Sequence, residues 1–433
     1  MKVRMLWLFF SLSFLNLNAQ VEEIKIMTYN LMFYKANNAP CTHSRTPAQR
    51  DQDLTTIVSS VNPDIICVNE LGEGVVNPLL VNSNVLNVNG VNHFKSANST
   101  NNSSSSLVNM LFFNENKFTL ESQSTLQRDL NNFPIIRVID FYRLYVNDAG
   151  LGSPGVDTVF FTIAVAHLKA GSSSGDQNQR ENAAEAIMDY IENNVSDQNV
   201  ILTGDFNIRS SSENSYQEFI NYSNASVALN DPISTPGSWN NNSNFASIHT
   251  QSTHSSGTGC FSGGGMDDRF DFSLISNSIS NGADKLRYQN YYAYGQDGSS
   301  FNGSLNTSNN FSVNSVVASA LYNFSDHLPV ILELEASVSG IGISEEDYWQ
   351  RVLHVPNPFK NQLNVHFKGQ QAFEDVEIRV IDLTGCTVAH KSTSNLAANA
   401  QVSFNTEKWR PGIYLLTVSK ANGSTVTRKL VKH

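Results

Sequence analysis

Two short segments of this chain gather acids, an amide and an imidazole suited to phosphate chemistry. In Asn199-Val200-Ile201-Leu202-Thr203-Gly204-Asp205-Phe206-Asn207, a β-branched run reads as a buried strand that Gly204 ends, and alternation puts Asp205 and Asn207 on one face. Ser325-Asp326-His327 leads into a second apolar run over residues 328–334, and its adjacent acid and imidazole suit the orienting or deprotonation of a water attacking phosphorus. A divalent metal ion, a polarised water and a phosphodiester would all find partners on such a rim.

Other strand ends carry similar groups. Met27-Thr28-Tyr29-Asn30 closes with an amide that can bind a metal or fix a carboxylate, and Ile65-Ile66-Cys67-Val68-Asn69-Glu70 closes with a carboxylate of the kind Mg²⁺ prefers. His167 follows the apolar run 160–166 and can donate to a phosphate oxygen or protonate a leaving alkoxide. Lys169 shares its face, and Arg180 opens the next helical stretch within reach of a phosphate. In Asp267-Asp268-Arg269-Phe270-Asp271-Phe272, alternation puts Arg269 and Asp271 together, with Asp271 placed to hold an imidazole in one tautomer. Taken singly, each has an ordinary structural meaning: a turn Asn, a solvated Glu, a core His, a surface Arg, a fold-stabilising Asp-Arg pair.

The elements that must position these groups are short β-type runs at residues 24–30, 64–69, 107–113, 159–167, 200–203, 270–275 and 328–334. Helical spacing predicts helices over 47–61, through Leu54, Ile57, Val58 and Val61, and over 179–191, through Ala183, Ala184, Ile187, Met188 and Ile191. Strands with intervening helices imply a layered α/β body. Asn, Ser and Gly dominate 98–106, 210–214, 236–265 and 295–310, which read as surface loops, and no apolar membrane-insertion hairpin is evident among them. Runs at 363–367, 376–381 and 412–418 alternate like strands of a second, compact β unit.

A length of 433 residues with 40% apolar content supports two folded units. Lys2 and Arg4 before an apolar run at 5–15, with Ala19 ahead of a cleavage point, read as a secretory signal peptide over 1–19. The run is too short to span a membrane, and no cysteine follows it to carry a lipid. Residues 20–348 hold 15 Lys+Arg against 34 Asp+Glu, whereas 350–433 hold 11 against 5. So acidic a body excludes tight nonspecific binding of nucleic acid through a basic surface, but not a nuclease that relies on a metal and a few local cations. The four cysteines form no zinc pattern; Cys67 lies in an apolar run, and export permits a bridge between Cys41 and Cys260.

In their order, Asn30, Glu70, His167, Asp205 with Asn207, Asp271, and Asp326 with His327 resemble the successive motifs of the endonuclease/exonuclease/phosphatase superfamily, typified by deoxyribonuclease I, over residues 22–334. The resemblance implies a four-layer α/β sandwich, two packed and mostly antiparallel sheets flanked by helices. It implies that Glu70 binds Mg²⁺ (or Mn²⁺ or Ca²⁺) with Asn30 beside it and Asp326 near. Asp205 would bind or orient the attacking water, and Asn207 would hold a nonbridging oxygen. His327, steadied by Asp271, would act as base or transition-state stabiliser and His167 as acid or oxygen donor, while Lys169 and Arg180, read from their places after His167, are the expected substrate contacts. The segments Val355-Pro356-Asn357-Pro358-Phe359, Ile381-Asp382-Leu383-Thr384-Gly385 and Pro411-Gly412-Ile413-Tyr414 resemble the C-terminal sorting domain of the Bacteroidetes type IX secretion system, which implies that machinery as a partner and surface or extracellular delivery.

The expected organisation is a signal peptide over 1–19, a catalytic domain over 20–336, a linker over 337–349 and a small C-terminal β-sandwich sorting domain over 350–433. The expected activity is a secreted, metal-dependent phosphodiesterase, foremost an endonuclease acting on extracellular DNA or RNA. A sphingomyelinase-like or inositol phosphate hydrolase and a non-catalytic surface binding module are the alternatives. The sequence carries no reading of oligomeric state.

Overall fold

The computed structural model describes residues 20–101, 105–147, 158–338, 353–367, 373–397, 400–420 and 425–433, so the expected signal peptide lies outside the described residues. Among the described residues twelve strands precede residue 339: β1 (Gln20–Tyr34), β2 (Ile65–Gly72), β3 (Phe94–Ser96), β4 (Leu107–Asn114), β5 (Phe118–Arg128), β6 (Pro134–Val146), β7 (Phe160–His167), β8 (Val200–Asp205), β9 (Leu229–Asn230), β10 (Asp271–Ser276), β11 (Leu286–Ala293) and β12 (Val330–Val338). They form two six-stranded sheets, ordered β11-β12-β1-β2-β4-β3 and β5-β6-β7-β8-β10-β9. Helices α1 (Pro47–Val61), α2 (Val76–Val81), α3 (Ser174–Asn194), α4 (Asn214–Ile220), α5 (Asn277–Asn281) and α6 (Ser315–Phe324) complete this body.

Period-two alternation explains the layering. In β7 and β8, Ile163, Val165 and Ile201 enter the core between the sheets with Ile26, Leu111 and Leu332, while Ala164, Ala166 and Leu202 pack on the other face with Ala183, Ala184 and Ile187 of α3. Both faces of the second sheet are thereby covered. The parallel pairs β1/β2 and β7/β8 are each joined through a crossover helix, α1 and α3, while their other partners are antiparallel. The body is therefore the expected four-layer α/β sandwich.

Local signals account for the helix ends. Thr46 and Gln49 form a capping box ahead of α1, with Pro47 in its first turn, and left-handed Asn62 ends it. Ser173 and Asp176 do the same for α3, which starts at Ser174 and not at the expected Gln179, because the cap precedes the apolar stripe. Strand β8 continues through Gly204 to Asp205, and β12 continues to Val338, two residues into the expected linker; residues 339–349 lie outside the described residues. The hairpin β5–β6, strand β11 and helix α6 were not read from the sequence.

The C-terminal unit contains a three-stranded sheet, β13 (Leu353–His354), β14 (Gln362–Phe367) and β17 (Gln401–Asn405), and a four-stranded sheet of β15 (Phe373–Asp382), β16 (Thr387–Leu396), β18 (Gly412–Lys420) and β19 (Thr425–Lys432). Leu363, Val365 and Phe367 from the first and Ile378, Val380, Leu416 and Val418 from the second share one buried core, which makes the unit a small β-sandwich. Among the described residues no helix is long and apolar enough to cross a membrane.

Two buried charges test this account. Arg269 does not pair with Asp271, as alternation implied, because it lies before β10 and outside the alternating strand. It forms a bidentate pair with Asp231 at 2.7 and 2.8 Å, stacked over Trp239 and Phe272. Asp231→Ala would strand the guanidinium unpaired, and we expect a loss of about 3–5 kcal/mol in urea unfolding of the full chain; a loss below about 1 kcal/mol would refute the pairing's structural role. Asp140 of β6 is buried with one carboxylate oxygen unpartnered. Burial pushes its pKa up to about 7, against the hydrogen bonds from Thr100 and Gln123 that favour the anion. The cost of charging it is absent below the ordinary carboxylate range and grows as pH rises toward 7, so Asp140→Asn should stabilise the chain at pH 8 by on the order of 2–4 kcal/mol and leave it unchanged at pH 4. A variant–parent difference independent of pH would contradict this.

Candidate active site

Strand register assembles the rim. Parallel pairing of β7 with β8 sets His167 opposite Asp205, antiparallel pairing of β8 with β10 sets Asp205 opposite Asp271, and pairing of β1 with β2 sets Asn30 opposite Asn69. Gly204 is required here: at φ +140°, a Cβ would lie 1.8 Å from the Ala166 carbonyl oxygen, so only glycine lets β8 lie against β7 one residue before Asp205. Glu70 and Asn207 both adopt left-handed backbone, at φ +58° and +55°. Glu70 sits where the pairing of β2 with β4 shifts register between Val68 and Leu71, and this bulge re-aims its side chain.

Asp205 is the centre of the hydrogen-bond network. Its Oδ2 accepts from Asn30 Nδ2 at 2.9 Å, its backbone N–H donates to Asn69 Oδ1 at 2.9 Å, and its Oδ1 accepts from the Asn207 backbone N–H at 3.1 Å. His167 Nε2 lies 3.3 Å and His327 Nε2 3.8 Å from Asp205 Oδ2, so the carboxylate is flanked by two imidazoles. His327 Nδ1 lies 2.8 Å from Asp271 Oδ2, the arrangement in which a buried acid holds one tautomer. Its other nitrogen lies 2.7 Å from Gln251 Nε2. Asp326 Oδ2 accepts from the Ser262 backbone N–H at 3.1 Å, and Glu70 Oε2 from that of Phe33 at 3.2 Å.

Electrostatics follow from burial and crowding. Burial raises the Asp205 carboxyl to about 7, with Asp271 and Glu70 adding to the rise and His327 opposing it. Burial likewise raises Glu70, where Arg137 opposes and Asp326 adds. For His327, burial opposes protonation, yet Asp271, Asp205 and Asp326 outweigh it and hold its pKa above the usual range. Burial, with Arg137 and His327, holds His167 well below that range and hence neutral. Negative charge is therefore in surplus at the rim.

The structure brings Asn30, Glu70, His167, Asp205, Asn207, Asp271, Asp326 and His327 together, but not the two expected substrate cations. Arg180 is fully buried; its guanidinium binds Glu213 at 2.6 and 3.0 Å and the carbonyls of Lys169 and Gly171 at 2.8 Å, so it braces the turn after β7 and does not reach out to the rim. Lys169 is tied to Asp176 at 2.7 Å. The cation beside the carboxylates is Arg137 of β6. Burial lowers its pKa while Glu70 and Asp205 act to raise it, and it donates to the Leu168 carbonyl at 3.2 Å. Its signal was a lone arginine in Ile135-Ile136-Arg137-Val138. Asn69 and Asn109 were also missed. Asn69 donates to Asn109 Oδ1 at 2.7 Å, and Asn109 donates on to the Val138 carbonyl at 2.8 Å; a single amide inside the apolar run Leu107-Val108-Asn109-Met110-Leu111 was the clue.

Among the described residues no three His, Cys, Asp or Glu side chains form a ready-made metal cage. The donor set nevertheless suits a hydrated hard cation, which is held by one or two carboxylates and keeps its own waters. Glu70, Asn30 and Asp326 would supply oxygens, and a cation beside Glu70 would offset the cost of its burial and of the nearby Asp326 charge.

Residues 27–282 match the family model described as the endonuclease/exonuclease/phosphatase family, and residues 355–433 match the secretion system C-terminal sorting domain. No curated protein matches the chain. Similar solved structures include the human Nocturnin catalytic domain with bound sulfate, 16% identical, covering 72% of this chain and 94% of that one, with a TM-score of 0.46. Others are an endonuclease/exonuclease/phosphatase protein of Bacteroides vulgatus (12% identity, 73% and 99% coverage, TM-score 0.46) and D. rerio TDP2 complexed with single strand DNA product (13%, 72% and 98%, TM-score 0.41). With the family model spanning more than half of its residues, the chain belongs to the endonuclease/exonuclease/phosphatase family.

Proposed function

We propose that the body is a metal-dependent phosphodiesterase, foremost an endonuclease of extracellular DNA or RNA. The observation that carries this reading is Asp205, a buried carboxylate flanked within 4 Å by two imidazoles of opposite electrostatic bias, His167 and His327. Asp205, fixed by Asn30 and Asn69, orients the attacking water and takes its proton. His327, held through Nδ1 by Asp271 and met at Nε2 by Gln251, stabilises charge on the phosphate, and neutral His167 donates a hydrogen bond. The Asn207 amide and the Arg137 guanidinium bind nonbridging oxygens. A divalent ion, of which Mg²⁺ is the first candidate, would be held by Glu70 with Asn30 and Asp326, and when bound it would offset charge developing on the phosphate and leaving oxygen.

One observation favours a second substrate class. The β5–β6 turn exposes Leu130, Phe133 and Ile136, and the last two line a cavity of about 330 Å³ with Leu168 and Lys169, the residues that follow His167. This is an apolar hairpin that was not evident in the sequence, and it suits a phospholipid phosphodiester. The C-terminal unit implies export through a type IX secretion system, to the cell surface or beyond it.

With DNA, RNA, sphingomyelin vesicles and inositol phosphates as substrates, EDTA should abolish turnover, and Asp205→Ala and His327→Ala should each lower kcat by at least about 10³-fold. Arg137→Ala should cost about 10–100-fold in kcat/KM, and Lys169→Ala less than about threefold. Hydrolysis that survives EDTA and both alanine variants would overturn the mechanism, and cleavage of lipid alone would select the second substrate class. Deletion of residues 350–433 should strand the protein in the periplasm of its host; normal delivery to the surface or medium would refute the sorting role.

A further inference from the structure

The segment from Gln251 to Gly265 grips the reactive atoms of Asp326 and His327. Asp326 Oδ2 receives the Ser262 backbone N–H at 3.1 Å and Gln251 Nε2 at 3.4 Å, and His327 Nε2 meets Gln251 at 2.7 Å. The Thr253 backbone N–H donates to the Asp326 carbonyl at 3.0 Å, and its hydroxyl to the Ser325 carbonyl at 2.8 Å. The far end of the segment, Ser255-Ser256-Gly257-Thr258-Gly259, is exposed and consists of small residues that lose much conformational freedom when ordered. One covalent tie holds that end, the disulfide from Cys260 to Cys41 in the β1–α1 connection, 219 residues away in sequence. Next to Cys260, Phe261 stacks on His254, whose ring stacks in turn on Tyr322 of α6, and Ser252 Oγ donates to the Ser262 carbonyl at 2.7 Å. Gly259 lies so close to the β1–α1 connection that a Cβ would be 2.6 Å from the Thr42 carbonyl oxygen, so the two loops are seated on each other at the bridge.

We propose that the Cys41–Cys260 bridge is an activation clamp: it holds Ser262 and Gln251 against Asp326 and His327, so that the chain becomes catalytically competent only when these two cysteines are oxidised. The inference rests on the phosphodiesterase reading. Closing the bridge converts two thiols to one disulfide and passes two electrons and two protons to a disulfide oxidant of an exported compartment, leaving that oxidant as a dithiol. A hydrolase of this kind would be synthesised in the reducing cytoplasm with its site unclamped and would acquire activity after export. Cys67, buried in β2, and Cys386, exposed in the C-terminal unit, take no part. Gln251 and Ser262 are positioning residues, since they act on the phosphate only through the two side chains they hold.

The test uses the full chain with Cys386→Ser in every sample, compared oxidised, reduced with dithiothreitol after folding, and as Cys41→Ser/Cys260→Ser. On bis(p-nitrophenyl) phosphate with Mg²⁺, below the melting temperature of each sample, loss of the bridge should lower kcat by about tenfold or more with KM within about threefold. Oxidised glutathione should restore kcat to the reduced wild-type pair. Hydrogen exchange should speed up at Thr253 and Ser262 on reduction while the strands β7 and β8 stay protected. Gln251→Ala should lower kcat with the bridge intact. Unchanged kcat and unchanged exchange on reduction would overturn the clamp. Should the oxidised chain hydrolyse no phosphodiester, the function reading fails on its own account, and exchange at Thr253 and Ser262 still decides for or against the clamp.

Discussion

The rim of this protein depends on holding one buried carboxylate still. Asp205, at the end of β8 in the second sheet, is held by side-chain amides of the first sheet, Asn30 from β1 and Asn69 from β2, and by the Asn207 backbone N–H, so the contacts that orient it also join the two sheets at this end. Burying an acid is costly unless its lone pairs are met. Amides meet them without adding charge, and this explains why the surroundings of Asp205 are rich in asparagine and why Asn109, far from any reacting atom, continues the chain of donors into the sheet.

Charge at the rim is left unbalanced, while the buried guanidiniums elsewhere in the body serve the fold. Three buried guanidiniums serve the fold: Arg180 binds Glu213 and two carbonyls, Arg269 binds Asp231, and Arg50 binds the carbonyls of Leu31, Met32 and Phe324. Arg50 thereby draws the residues after Asn30 toward those before Ser325-Asp326-His327, and acts on the site only by position. Arg137 differs. It faces carboxylates in surplus, with one backbone carbonyl as its hydrogen-bond partner, a condition that suits a ligand carrying its own charges and a cation. Several carboxylates and one sparsely paired guanidinium gathered on one rim differ from a structural ion-pair network, in which each charge meets its opposite.

The Gly- and Ser-rich loop over residues 251–265 shows how uninformative composition can conceal a structural role. Read alone it is a solvated connection, yet its two ends grip Asp326 and His327, and its outer part is fastened to the β1–α1 connection by a bridge. Small residues are needed because the two loops approach at backbone distance, and no larger side chain fits between Gly259 and the Thr42 carbonyl.

The sequence by itself determined the family resemblance, the two folded units and the eight polar residues of the rim, because each of these residues sits where an apolar run starts or stops, and that punctuation is local. It also marked α1 correctly from end to end, since cap, proline and apolar stripe agree there. It misassigned the cations. Lys169 and Arg180 are close to His167 in the chain, but the side of a turn to which a long side chain folds is decided by partners distant in sequence: Glu213 captures Arg180, and Arg269 finds Asp231 in preference to its neighbour Asp271. Arg137, Asn69, Asn109 and Gln251 escaped notice because nothing within a few residues of them signals a role; their partners come from other strands and loops. Only the tertiary structure, by setting register between β7, β8 and β10 and by closing the Cys41–Cys260 bridge, decided which charges meet, because hydrogen bonds and ion pairs depend on distances in space that spacing along a chain does not encode.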